Sequence, residues 1–463
     1  MIQCGSDMKK FFVSVGLIAA GTASLQAAYA PDWNSTSASM WSVSGTLRGF
    51  YDDNYDTSPS GAKIGSFGLE VSPQVSLNVP LQQTELGMRY IYGLYYYQKR
   101  EDLGQNPIDQ THQFDLWVDH AFTERWQARV QDSFVVGQEP ELIDPNGTVL
   151  HRVEGNNISN VGTLTLNTIW TRLFSTALGY QNSFYDYENS GGTATLPVAT
   201  VLPPSPMPPG GYTFGSPGSV DSSLAGLMNR IEQSAWLNLQ WEVRPETMLQ
   251  VGGRFELVNY TGDEPVAYFS PFPYDPNTSI LYHSSDRDSR SYIGYLGFQH
   301  AFLPNLSVNA QGGIQYTESY NDPLSSPSLA PYAVMSATYT YAPGSYAQIG
   351  FTESQEATDV IEPDAQGRIT QSTENSTVYA SINHKLTPKL LGTVIGRWQH
   401  SVYNQGFYNN QAVDYYNLGV NLSYSFNHHF SVDAGYNLDN LVSQIPGSSY
   451  MRNRVYLGVT AAY

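Results

Sequence analysis

The stretch GSFGLEVSPQVSLNV, residues 65–79, separates its side chains into two sets. Phe67, Leu69, Val71, Val75, Leu77 and Val79 fall on one parity, and Ser66, Gly68, Glu70, Ser72, Gln74, Ser76 and Asn78 on the other. A period of two describes a strand with one apolar face. The run outlasts an ordinary strand of about five or six residues. It also exceeds the about 9–11 residues with which a tilted strand crosses a bilayer. A second stretch, 306–316, repeats the pattern, with Leu306, Val308, Ala310, Ile314 and Tyr316 opposite Ser307, Asn309, Gln311, Gly313 and Gln315. Length and alternation together indicate membrane-spanning strands.

The pattern recurs from about residue 40 to the end, and the connections alternate in length. Short ones include 122–125, 243–247, 302–305, 342–344, 386–389 and 426–429. Long ones, rich in Asp, Pro, Ser and Gly, lie near 138–157, 188–229, 262–289 and 357–373. The longest holds PPSPMPPGGYTFGSPG, which suits an extended loop rather than a strand. Turns that are short on one side and long on the other predict an all-β, antiparallel transmembrane β-barrel with short periplasmic turns and long extracellular loops. The strands number eighteen, with sixteen as the alternative, and a single barrel domain covers 40–463. Pro73 requires a bulge in the second strand, and Asp132 on the apolar face of 126–137 signals a slipped register. Trp41, Tyr51, Tyr95 to Tyr97, Trp117, Trp126, Trp170, Trp236 and Trp241 supply the aromatic girdles.

Composition agrees with a membrane barrel. Charged residues make up only 14% of the chain, against about 25% in a soluble domain. A net charge of −19 argues against nucleic acid as a partner. Residues 1–30 read as a signal peptide, with Met8, Lys9 and Lys10 before the apolar FFVSVGLIAAG, and translation starting at Met1 or Met8. Residues 31–39 then form a short periplasmic segment. The single cysteine, Cys4, precedes the apolar stretch, so no disulfide framework is expected. The expected location is the outer membrane of a diderm (Gram-negative) bacterium.

At the C-terminus, Val455, Leu457, Val459, Ala461 and Tyr463 alternate and end in an aromatic residue. They read as a lipid-facing closing strand and as the signal by which assembly machinery recognises barrels. The first strand runs into GFYDDNYDTS, residues 49–58. Tyr51 followed by Asp52, Asp53 and Asn54 resembles the beta-barrel porin family of the second type, which includes barrels encoded with exopolysaccharide export machinery. The resemblance implies an outer-membrane barrel and a pore. Asp52, Asp53, Asn54 and Asp56 themselves lack EF-hand spacing; they read either as an Asx-bonded turn or as a cation site. His428 and His429 sit in a short turn. No GxSxG, HExxH or P-loop pattern marks an enzyme.

Alternation assigns Arg48, Glu85, Arg89, Asp115, Asp119, Arg129, Glu232, Glu242, Arg254, Glu256, Arg397, Asp433, Arg452 and Arg454 to the lumen, lining a pore. Tyr95, Tyr97, Tyr185, Tyr379 and Tyr456 share the inward faces and offer a stacking track. The expected function is a porin-like channel for passive diffusion of small hydrophilic solutes, without a cofactor. The rivals are an exopolysaccharide-associated barrel passing polymer, a structural barrel, and an outer-membrane enzyme. Expected partners are outer-membrane lipid and lipopolysaccharide, the assembly machinery, and small polar solutes or polysaccharide. A loop folded inward, 138–157 or 188–229, is expected to narrow the bore.

Overall fold

The computed structural model describes residues 40–137, 157–188, 193–195, 219–271 and 279–463. In them, eighteen long strands form one antiparallel sheet. In chain order they are β1 (Trp41–Asp52), β2 (Ser66–Pro80), β3 (Thr84–Tyr97), β4 (Ile108–Ala121), β5 (Trp126–Gly137) and β6 (Asn157–Ile169). Then come β7 (Phe174–Tyr187), β8 (Arg230–Arg244), β9 (Thr247–Tyr260), β10 (Ser289–Leu303), β11 (Leu306–Ser319) and β12 (Ser328–Ala342). The last six are β13 (Ser345–Glu356), β14 (Ser372–Thr387), β15 (Leu390–Asn404), β16 (Ala412–Ser425), β17 (Phe430–Ser443) and β18 (Tyr450–Ala462). Each pairs with its neighbour in sequence, and β1 also pairs with β18, so the sheet closes on itself. Ser44 stands opposite Ala462 and Asp52 opposite Arg454. Val43 and Tyr463 exchange backbone bonds of 3.0 and 2.8 Å at the seam. Sixteen strands is thereby set aside.

Closure follows from where the apolar parity points. Phe67 is 65% exposed and Val75 48%, while Ser66 on the opposite parity is 3% exposed. Leu296, Ile314 and Leu457 are likewise exposed on the outside. An apolar surface of this extent faces lipid, not water, and hydrocarbon requires every backbone N–H and C=O to be paired. A closed sheet meets that requirement without an edge. Among the described residues no helix is long and apolar enough to cross a membrane.

Trp41, Trp126, Trp170 and Trp241 lie exposed at the short-turn ends, and Tyr51 near the opposite end of β1, as expected of girdles. Trp117 and Trp236 do not. Each shares parity with inward carboxylates, Asp115 and Asp119 in one case and Glu232 in the other, and each lies over a glycine of the neighbouring strand. A Cβ on Gly87 would fall 1.8 Å from the Trp117 ring, and one on Gly179 2.1 Å from Trp236. Tyr95 and Tyr97 also point inward, and only Tyr96 of that trio faces out.

Two expected irregularities are absent. Pro73 needs no bulge: it stands opposite Gly45 of β1, and the pairing of β2 with β3 passes Ser72 and Pro73 with its register unchanged. Asp132 causes no slip either. It stays on the outer face opposite Gly162, where Asn160 Nδ2 donates to both carboxylate oxygens at 2.8 Å. A lipid-facing carboxylate is thus held by a neighbouring amide.

The outward assignment is testable at Val251, 43% exposed and about midway along β9. Val251→Arg is expected to lower the urea-unfolding free energy in lipid vesicles by about 2–4 kcal/mol, the cost of a cation on the lipid face near mid-depth. An unchanged unfolding curve would place that face elsewhere than in lipid.

Candidate functional site

The motif after the first strand proves to be a clasp across the seam. Asp52 is fully buried and accepts from Arg452 at 2.7 Å and Arg454 at 3.1 Å, both on β18. Asp53 accepts from the backbone N–H of Asn453 at 2.6 Å and from its side-chain amide at 2.7 Å. Lys63 lies 3.4 Å from the same carboxylate. Asn54 donates to the carbonyls of Ser58 and Met451, and its own N–H donates to Asp52 Oδ1 at 3.0 Å. These oxygens are engaged by protein donors. Among the described residues no group of three or more His, Cys, Asp or Glu side chains is arranged for a metal ion. Asp52, Asp53 and Asn54 thus tie the chain ends together, while Asp56 stays exposed beside them.

Most of the charges assigned to the lumen occur as pairs. Arg48 of β1 lies between Glu70 of β2 at 3.2 Å and Asp433 of β17 at 2.8 Å, with its guanidinium over the Tyr456 ring. Arg89 meets Asp115 at 2.7 Å rather than Glu85. Arg129 pairs with Asp119, Arg254 with Glu256 at 2.7 Å, and Glu232 with the buried Arg230 at 2.6 Å. Arg397 donates to Gln399 at 3.1 Å. Glu85 and Glu242 stand at the short-turn ends of β3 and β8. His428 and His429 remain in their turn, where the His429 ring stacks on Tyr463. Glu70, on the polar parity of 65–79, and Arg230 join these charges although neither is among those assigned to the lumen from sequence.

The outer mouth is spanned by a loop that sequence did not single out. Past Ala333 opposite Glu353, β13 parts from β12 and bends into the barrel. There the Gln355 N–H donates to Gln315 Oε1 of β11, and Gln315 Nε2 donates to the Gln355 carbonyl, both at 3.1 Å. The following loop, 357–371, has Thr358, Ile369 and Thr370 at 1% exposure or less. Ile361 and Ile369 join an apolar cluster with Tyr185 and Tyr187 of β7, the short helix Leu224–Met228, Val266 and Tyr282. Val360 packs instead against Tyr403, Tyr415 and Tyr450 of β15, β16 and β18. β7 and β15–β18 lie on nearly opposite sides of an eighteen-strand ring, so one loop bridges both walls.

Buried polar contacts fix it there. Arg287, 1% exposed, donates to the carbonyls of Leu227 and Thr358 and stacks over Tyr260. Burial pushes this guanidinium below its ordinary range. The Tyr282 hydroxyl donates to the Gly367 carbonyl at 2.5 Å. Gly406 has φ +71°, and a Cβ there would meet Thr370 N at 2.5 Å; only glycine fits. Asp364 accepts from Arg368, which holds the carboxyl below its usual range although burial alone would raise it. Of the two loops expected to fold inward, residues 138–156 lie outside those described. Within 188–229, Leu224–Met228 packs against the mouth loop.

Beneath the mouth a cavity of about 430 Å³ runs along β7–β15. It reaches from Ser326, Gln371 and Gln405 at the loops down to Asn309 and Gln348 near the short turns. The architecture is thus a membrane barrel with a polar, partly filled interior and a braced outer mouth.

Residues 274–463 match the family model described as putative beta-barrel porin 2. The matched part leaves out the Tyr51–Asn54 motif that carries the resemblance in the sequence. No curated protein matches the chain. Among solved structures, a BenF-like porin from Pseudomonas fluorescens Pf-5 is similar with a TM-score of 0.43 and 10% identity, over 91% of this chain and 99% of that one. The outer membrane protein OpdK from Pseudomonas aeruginosa gives 0.41 and 11%, over 91% and 99%. The siderophore receptor PiuA from Acinetobacter baumannii gives 0.44 and 10%, over 92% and 82%.

Asp52→Ala strands two arginines at the seam. It is expected to cost about 3–5 kcal/mol, as breaking a buried ion pair does. The readout is the temperature at which the compact band on an SDS gel is lost. Asp56→Ala, at an exposed position, is expected to leave that temperature unchanged.

Proposed function

We propose that this chain forms a channel in the outer membrane through which small hydrophilic solutes diffuse down their gradients. The observation that carries this reading is the polar cavity inside a closed, lipid-facing sheet. Barrels of sixteen to eighteen strands enclose an aqueous bore, whereas about eight strands are filled by side chains. Paired charges on the inner wall give a field across the bore that orients polar solutes. Loop 357–371 sets the size limit at the outer mouth.

The same reading takes residues 1–30 as a cleaved export signal and the β18 parity Val455, Leu457, Val459, Ala461 and Tyr463 as the feature met by the assembly machinery. Lipid and lipopolysaccharide are then the surroundings, and the partners inside are solutes, not a reaction centre. Transport, rather than catalysis, is the work assigned to the lumen residues.

Purified protein in a planar lipid bilayer is expected to give discrete conductance steps that persist without any energy source. A bilayer that stays silent under applied voltage, with the folded protein shown to be inserted, would overturn the channel reading. Replacing residues 361–369 by a short Gly-Ser linker is expected to raise the single-channel conductance about twofold or more. An unchanged step would show that the loop is not the narrowest point.

A further inference from the structure

The cavity along β7–β15 points to a particular class of solute, an inference that rests on the channel reading and deepens it. We infer that this wall binds neutral, polyhydroxylated solutes of the size of a short oligosaccharide, held between Asn375 and Tyr379 of β14.

Charge disfavours the common alternative, an organic carboxylate. The ionisable residues on the cavity wall are Glu232, Glu256, Glu353 and Glu356 against Arg254 and Arg397. Arg254 is engaged by Glu256 at 2.7 Å and Glu232 by Arg230 at 2.6 Å, which leaves Glu353 and Glu356 against Arg397, itself bonded to the Gln399 amide. A wall with more carboxylates than guanidiniums repels an anion. The rest of the lining is dominated by hydroxyl and amide side chains, such as Ser234, Ser372, Thr377 and Gln348.

Asn375 is the most specific pointer. It lines the cavity, is 4% exposed, and neither its Nδ2 nor its Oδ1 has a protein partner. Asn309 Nδ2, lower on the same cavity, is likewise unpartnered. A buried amide with a free donor and a free acceptor calls for a partner that both accepts and donates. A hydroxyl does both, as water does. An ionised carboxylate satisfies only the N–H side, and an ammonium only the oxygen.

Tyr379 supplies the complementary apolar surface. It sits on the same face of β14 as Thr377 and Asn375, because residues of one parity share a face. Its ring lies over Gly350 of β13, where a Cβ would fall 2.1 Å from ring carbon Cζ. One ring face is therefore against the strand and the other is turned to the cavity, which Tyr379 lines. A pyranose presents an apolar C–H face and a hydroxyl rim, and an aromatic ring packs well on the former. Four residues along a strand span about 13 Å, which suits linked sugar rings lying along the wall.

The test uses the full-length barrel with maltotriose as the neutral probe and citrate as the anionic one. Titration calorimetry in detergent reads binding, and bilayer recording reads interruption of the ion current. Maltotriose is expected to bind and to block, with citrate at least tenfold weaker in both. Asn375→Leu and Tyr379→Ala are each expected to weaken maltotriose about tenfold. Tyr379→Phe, which keeps the ring, is expected to bind nearly as the parent does and guards against a folding defect. Conductance without maltotriose binding, or binding indifferent to both substitutions, overturns this inference and leaves the channel standing. Binding without conductance supports the site and overturns the channel. Tighter citrate than maltotriose overturns the assignment of solute class.

Discussion

The backbone hydrogen bond in hydrocarbon governs this molecule. An unpaired N–H or C=O in the bilayer costs several kcal/mol, so a sheet whose apolar side faces lipid must bring its first strand to its last. Every other feature is arranged around that join. β1 and β18 pair from Ser44–Ala462 to Asp52–Arg454, and the polar residues following Tyr51 close over the top of the pair. A buried ion pair is weak evidence for net stability but strong for specificity. A one-residue slip of β18 would turn every side chain to the opposite face. It would also carry Arg452 and Arg454 away from Asp52. The clasp and the alternation therefore enforce the same register.

Within the wall, the lumen combines rigidity with openness. Arginines that would otherwise be mobile cations are tied to carboxylates of the same or nearby strands, as Arg48 of β1 is tied to Glu70 of β2 and, across β18, to Asp433 of β17. Large aromatics are laid flat on neighbouring glycines, which keeps their volume against the wall and out of the bore. The outer mouth uses a different device, an apolar cluster above the strands into which the loop inserts Ile361 and Ile369. Polar anchors such as Arg287 then fix the loop across the opening.

Much of this was legible in the sequence, because a strand's parity is a local property. The strand number, the long and short connections and the lipid face of β2 all follow from alternation. Parity also held information that aromatic type obscured. Trp117 sits between Asp115 and Asp119 on one face, so it could not join the outer girdle while they line the lumen. Trp236 and Glu232 pose the same choice. Pro73 and Asp132 looked like breaks in the pattern, yet each is accommodated by a neighbour, the first by β1 and the second by Asn160. What sequence could not give is long-range pairing. Nothing near Asp52 announces that its partners lie on the last strand, and nothing in 357–371 distinguishes a loop that crosses the mouth from one that leaves it open.

The central claim is that the sheet is closed, with lipid outside and water inside. Nitroxide scanning of β1 and β18 in lipid vesicles tests it most directly, by comparing access of oxygen with access of a water-soluble nickel chelate. A closed, lipid-embedded sheet gives a period of two in both strands, with oxygen favoured at positions such as Val43, Leu47, Leu457 and Val459. The chelate should be favoured at Ser44, Thr46 and Thr460. Low access of both reagents along the apolar parity would contradict it, since that is the mark of a face packed against protein rather than lipid.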